Sequence, residues 1–229
     1  MHIGDHYSLR DFLRWTRQEL YVLALNATVP TLLYQLLGWK WLTLPWAPIA
    51  TVGTAAAFLL AFRNNSTYDR LWKARIIWGA IVNLSRTWAI QVRDLVSAGP
   101  PEAQQFTRTL VRRHFAWLTA LRFQLRQRRR WERMDQTVNR EYLGVYEVPE
   151  WDGDLDAEMR PYAQEAQWER LKVTRNPAAQ IISLQSEDLK AAFDRGWLDS
   201  IRLSQLVGTL GRLHELAETG ERRCGSRFQ

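Results

Sequence analysis

Two stretches near the start of the chain carry no charged side chain for about twenty residues each, and the remainder alternates apolar and polar positions at helical spacing. The first is Leu20 to Gly38 (LYVLALNATVPTLLYQLLG); the second is Leu42 to Phe62 (LTLPWAPIATVGTAAAFLLAF). Twenty helical residues rise ~30 Å, the thickness of a bilayer's hydrocarbon. Arg63, Asp69, Arg70, Lys73 and Arg75 follow at once. Charges of that density are costly in lipid, so the pattern predicts one helix that leaves the membrane near Phe62 and continues into water. Asn26, Thr28, Pro30 and Gln35 weaken the first run as a free-standing span but are tolerable inside a helical bundle. Between the runs, Trp39, Trp41 and Trp46 surround a single Lys40 and predict a short interfacial turn. The alternative is a buried helical hairpin in a soluble protein.

Before these runs, His2 to Glu19 spaces Arg10, Arg14 and Arg17 around Phe12, Leu13 and Trp15, an amphipathic surface segment. After them, Ile77, Ile81, Leu84, Trp88, Val92 and Leu95 recur at steps of three and four, the stripe of a long helix that Gly99-Pro100-Pro101 ends. A further helix is predicted from about Glu102 to Arg130, with Phe106, Leu110, His114, Trp117 and Leu121 on one face; His114 reads as a partly buried packing residue. Arg122 to Arg133 is densely basic, and Glu141 to Glu158 is acidic, punctuated by Gly and Pro, and read as a loop. Asn176-Pro177 has the form of a helix start. Asp194-Arg195-Gly196 breaks that helix, and Asp199 or Ser200 starts another through Leu216. The expected fold is an all-α membrane protein: an amphipathic segment over 1–19, a transmembrane hairpin over 20–62, a cytosolic helical domain over 63–216 and a polar tail over 217–229.

The second apolar run is rich in small residues, among them Ala47, Ala50, Gly53, Ala55, Ala56, Ala57 and Ala61. Ala47, Thr51 and Ala55 share one face at i, i+4 and i+8. Small side chains let helices approach closely, so this face either packs on a neighbouring helix or lines a shared pathway.

The composition includes twelve Trp, several times the usual share for this length, which suits membrane interfaces. A formal charge of +7 fits a membrane protein with a cytoplasmic bulk or a nucleic-acid binder. Arginines flank both outer ends of the apolar pair, which places those ends in the cytoplasm. The lone Cys224 excludes an internal disulfide and cannot by itself form a zinc site. His2 and His6 stand four apart, without a third ligand nearby. Met1 to Glu19 is too polar for a cleavable signal peptide. No phosphate loop, nucleophile elbow or paired-Cys or H-E-x-x-H metal pattern occurs, and Glu187-Asp188 reads as a solvated carboxylate pair. No enzyme, cofactor or metal is expected.

Phe62 to Arg86 (FRNNSTYDRLWKARIIWGAIVNLSR) resembles the signature of bacterial bestrophins, F-R-N-N/S-x-x-Y-D-R-x-W-E-A-R-K-x-W-G-x-L-V-N-x-S-R. Arg63, Asn64, Tyr68, Asp69, Arg70, Trp72, Arg75 and Trp78 meet its fixed positions, as do Ala74, Gly79, Val82, Asn83, Ser85 and Arg86. Lys73 departs, standing where Glu is usual. Asn176 to Leu206 is more loosely similar to a later cytosolic helical region of that family.

The resemblance implies a homopentameric channel in the bacterial inner membrane, multi-pass with its bulk in the cytoplasm, conducting chloride or other small monovalent ions, alkali cations among them. Its partners would be four further copies of itself, membrane lipid and the conducted ion, with no nucleic acid. Family members narrow the pore at three bulky residues on the second helix. Aligned from Arg63 and Tyr68 without gaps, those places are Ala47, Thr51 and Ala55, none of them bulky; Ile49, Val52 or Phe58 replace them in another register. A second constriction at the cytosolic exit corresponds to Ile201, otherwise an ordinary core position. Family chains normally continue into a second membrane pair, and eukaryotic members into an acidic calcium clasp beyond it, whereas residues after Leu216 here are polar, so no calcium site is expected. A non-conducting membrane scaffold and a soluble nucleic-acid binder using Arg122 to Arg133 are the competing readings.

Overall fold

The computed structural model describes residues 9–43, 45–96, 101–128 and 148–225. His2, His6, the end of the basic run and the beginning of the acidic stretch lie outside the described residues. All regular structure among those described is helical. In order the elements are α1 (Leu9–Leu37), a 3-10 turn (Lys40–Leu42), α2 (Trp46–Leu95), α3 (Pro101–Arg126), α4 (Pro149–Asp152), α5 (Leu155–Met159), α6 (Glu165–Lys172), α7 (Pro177–Asp194) and α8 (Ser200–Gly225). The chain forms two compact units whose boundary falls within α2, after Tyr68.

In the first unit, α1 is one helix from Leu9 to Leu37, so the amphipathic start and the first apolar run are not separate elements. Gly38, at φ +67°, ends it in the left-handed region that favours glycine. Thr43 Oγ1 donates to the Lys40 carbonyl (2.6 Å), closing the turn that carries Trp39 and Trp41, whose rings lie 6.0 Å apart. Several polar side chains of the apolar runs bond to carbonyls of their own helices. Asn26 Nδ2 donates to the Val22 carbonyl (3.0 Å) and Thr31 Oγ1 to Ala27 (2.7 Å). Such bonds make Asn26 and Thr31 tolerable where water is scarce. Both α1 and α2 contain segments long and apolar enough to cross a membrane, and neither segment is buried within the protomer. The alternative of a hairpin buried inside its own globule is therefore wrong.

The second unit has one core. The stripe on α2 buries Ile81, Trp88 and Val92, with Ile77, Leu84 and Leu95 packed against them. Leu110, Trp117 and Leu121 of α3, Ile181 and Leu189 of α7, and Leu206, Leu210 and Leu213 of α8 complete it. Burying this many large side chains, at about 1.5–3 kcal/mol each, holds the unit together. Polar ties fix register: Thr209 Oγ1 donates to Gln91 Oε1 (2.7 Å), and Arg202 Nη1 donates to the Leu95 carbonyl (3.3 Å).

Helix starts follow local chemistry. Asn176 Oδ1 accepts from the Ala179 amide (2.9 Å), with Pro177 opening α7, as the sequence predicts. Asp199 Oδ1 accepts from the Arg202 amide (2.8 Å) at the start of α8. Three expectations are corrected. First, α8 continues past Leu216 to Gly225, because Ala217 and Gly220 are buried; a Cβ on Gly220 would sit 3.8 Å from both Ile77 and Leu125. Second, the described part of the acidic stretch is two short helices, α4 opened by Pro149 and α5 capped by Asp154, whose side chain accepts from the Asp156 amide (2.9 Å). Third, Asp188 is not a solvated carboxylate. It ion-pairs with Arg113, and only 15% and 28% of the two side chains are exposed.

Candidate pore elements and a buried polar cluster

Ala47, Thr51 and Ala55 stand on α2 one turn apart and span about 12 Å of its length. All three are exposed in the protomer. Thr51 Oγ1 donates to the Ala47 carbonyl (3.0 Å), and Thr54 does the same to Ala50 (2.9 Å). With its proton spent on the helix, Thr51 offers the outside a methyl and an oxygen. The face is thus small and mostly apolar, with no side chain able to reach across an axis. Ile49, Val52 and Phe58, the bulkier candidates, are exposed on the same helix.

Ile201 lies in the first turn of α8 and is 72% exposed. An ordinary core role within the protomer is excluded. An isoleucine presented at a capped helix start is available to other copies or to solvent.

The signature residues Arg63, Asn64, Tyr68, Asp69, Arg70, Trp72 and Arg75 are exposed along α2. The charge reversal at Lys73 creates a pair rather than removing one: Lys73 Nζ lies 3.3 Å from Asp69 Oδ2 at i, i+4. Such an exposed pair adds a few tenths of a kcal/mol. Trp78 has a different role and lines a cavity between α2 and α3.

The described part of the basic run is occupied. Arg122 ion-pairs with Glu150 (3.2 Å) and with Glu158. Arg128 stacks over the Trp151 ring, 4.8 Å from its centre, while Trp151 Nε1 donates to the Arg126 carbonyl (2.7 Å). Acidic neighbours thus take up Arg122, and an indole covers Arg128.

A cluster of buried polar groups escaped the sequence reading. Ser85 Oγ, Trp88 Nε1, both ring nitrogens of His114, Trp117 Nε1 and both polar atoms of the Gln185 amide are buried without a hydrogen-bond partner. His114 sits between the two indoles, 6.2 Å from Trp88 and 5.1 Å from Trp117 between ring centres. Burial pushes its pKa down to about 4, opposed by the nearby Gln185 amide. His114 is thus a buried neutral imidazole rather than a partly buried one. The only sequence signal was a polar residue inside an otherwise apolar stripe. Next to it, Arg113 donates to Gln167 Oε1 (3.2 Å) and to the Leu184 carbonyl (3.4 Å), tying α3 to α6 and α7. Among the described residues no group of three or more His, Cys, Asp or Glu could hold a metal.

Residues 13–225 match the family described as Bacterial/Fungal Bestrophin protein. The chain belongs to the bestrophin family. Among curated relatives, the voltage-dependent anion channel-forming protein YneE of Salmonella typhi is 30% identical over 193 residues, covering 81% of this chain and 53% of that protein. A voltage-dependent anion channel-forming protein of Ralstonia nicotianae is 37% identical over 84 residues, 35% of this chain and 26% of that one. This bestrophin therefore spans about half or less of the length of the curated relatives it matches. A solved bacterial bestrophin homolog from Klebsiella pneumoniae, a point mutant, is similar with a TM-score of 0.70 at 22% identity, over 93% of this chain and 69% of that one. A structure described as a membrane protein gives 0.74 at 22% identity with the same coverage. Likeness at such identity establishes the fold.

Proposed function

We propose that this bestrophin is a subunit of a homopentameric channel in the bacterial inner membrane, with α2 from each copy lining an axial pore for chloride or other small monovalent anions. The observation that carries the reading is the apolar half of α2. It is long enough to span lipid, almost wholly exposed in the protomer, and small along the Ala47-Thr51-Ala55 face. A lone anchor would be covered by larger apolar side chains, whereas a small-residue face suits close approach of neighbouring helices around an axis. Leu71, Trp72, Ile76 and Ile90 are exposed farther along α2 and give further copies an apolar surface to bury. The formal charge of +7 and the relatives' description as anion channel-forming support anions. Ile201 is assigned to a second apolar ring.

The test is single-channel recording of purified protein in planar bilayers. Thr51→Phe places five rings on the axis and should cut unitary conductance several-fold; Ile201→Ala should widen the second ring and raise it. Currents unchanged by both substitutions would remove these pore assignments. Assembly without any current would favour a non-conducting scaffold.

A further inference from the structure

The apolar part of α2 changes character along one of its faces, and the change falls wholly within the first unit. Each helical residue turns the chain by about 100°, so a side chain can be placed by its bearing around the helix from Thr51. Ala47 and Ala55 lie about 40° to either side of that bearing. Phe58 and Phe62 lie closer still, about 20° to either side, at about 10 Å and about 16 Å farther along the helix. Asn65 follows at about 40°. From Ala47 to Asn65 the face therefore runs Ala, Thr, Ala, Phe, Phe, Asn: three small residues, two aromatic rings one turn apart, and then an amide. The other bulky side chains of the segment point elsewhere, with Val52 at about 100°, Ile49 at about 160° and Leu60 at about 180° from Thr51. Phe58 thus belongs to the register of the small face instead of replacing it, and Phe62 extends the same line.

Neither ring is used in the packing of the protomer: Phe58 is 62% exposed and Phe62 69%. An amide directly beyond them, itself exposed, suits a water-filled exit better than hydrocarbon or a dry helix contact. We propose that Phe58 and Phe62 form the hydrophobic constriction of the channel, two successive collars of five rings at the cytosolic end of the membrane-spanning part of α2, below a wider stretch lined by Ala47, Thr51 and Ala55. The inference rests on the reading of α2 as the pore-lining helix and adds the level at which that helix limits the ion. Small side chains leave a hydrated ion its water. At the two collars the ion sheds hydration that no polar group replaces, and an apolar ring narrow enough to dewet closes the path altogether.

Single-channel recording in planar bilayers tests it, on full-chain variants that elute at the wild-type size in detergent. Phe58→Ala combined with Phe62→Ala should raise unitary conductance or open probability at least about threefold. Leu60→Ala, on the far side of the helix, should leave the currents as in the wild type. A second readout is chemical, in a Cys224→Ser background. A charged, water-soluble methanethiosulfonate should block the current of Phe62→Cys and leave that of Leu60→Cys unchanged, because the reagent attacks a thiolate, which needs water around it. Wild-type currents in the double alanine variant, or equal block at the two cysteines, overturn the assignment, and the Thr51→Phe result then judges the pore reading separately. A silent wild type with a conducting double alanine variant supports a gate closed at the rings. Silence in both removes the channel reading and this inference with it.

Discussion

Lowering the pH from about 7.5 to about 5 should cost the second unit about 2 kcal/mol through His114 alone. The imidazole is buried between Trp88 and Trp117, and burial holds its pKa near 4 against an ordinary value of 6.5. A group whose folded pKa is depressed and whose charged form is the acid binds more protons when unfolded. Stability is therefore complete above pH 6.5 and falls as pH drops from there towards 4. At 1.36 kcal/mol per pH unit, the gap between the two values caps the loss at about 3 kcal/mol, of which about 2 kcal/mol is reached at pH 5. Carboxylates also titrate in this window, so the informative quantity is the difference between the wild type and His114→Gln, which stays neutral throughout. Thermal unfolding in detergent, followed by circular dichroism, should show the wild-type midpoint dropping about 4–8 °C more than the variant's between pH 7.5 and 5, the conversion expected for a chain of this size. Parallel loss in the two proteins would refute the argument, as would a directly titrated imidazole pKa above about 6.

Further substitutions probe the packing. Gly220→Ala should stabilise by about 0.5–1 kcal/mol, because the added methyl meets Ile77 and Leu125 at an ordinary 3.8 Å and the helix gains propensity; denaturation midpoints check it. Gly153→Ala should destabilise by about 1 kcal/mol, because its Cβ would lie 2.9 Å from the Pro149 carbonyl oxygen, which belongs to backbone and cannot rotate away. Arg113→Met should cost about 3 kcal/mol by leaving Asp188 without its charge partner, and Asp188→Asn added to it should recover part of that loss, measurable as a double-mutant cycle.

Periodicity and local chemistry carried much of this fold in the sequence. The uncharged length of the two apolar runs identified both membrane-length segments. The three-and-four spacing from Ile77 to Leu95, and from Phe106 to Leu121, named the faces that pack. Asn176-Pro177 and Gly196 marked helix limits, because capping and left-handed backbone depend on a few adjacent atoms; Gly196 sits at φ +73°. The Phe62 to Arg86 signature identified the family for a similar reason, its residues being contiguous.

What the tertiary structure alone decided involves residues far apart in the chain. Polar composition after Leu216 reads as a tail, yet Gly220 is held against Ile77 and Leu125, and that burial keeps α8 helical to Gly225. Asp188 reads as solvated until Arg113 arrives from α3. His114 and Ser85 are single polar breaks in apolar stripes, and only the packing of α2 on α3 makes them walls of one cavity. A stripe shows that a helix face is buried; the groups that meet it, and any space left between them, depend on where the other helices are placed.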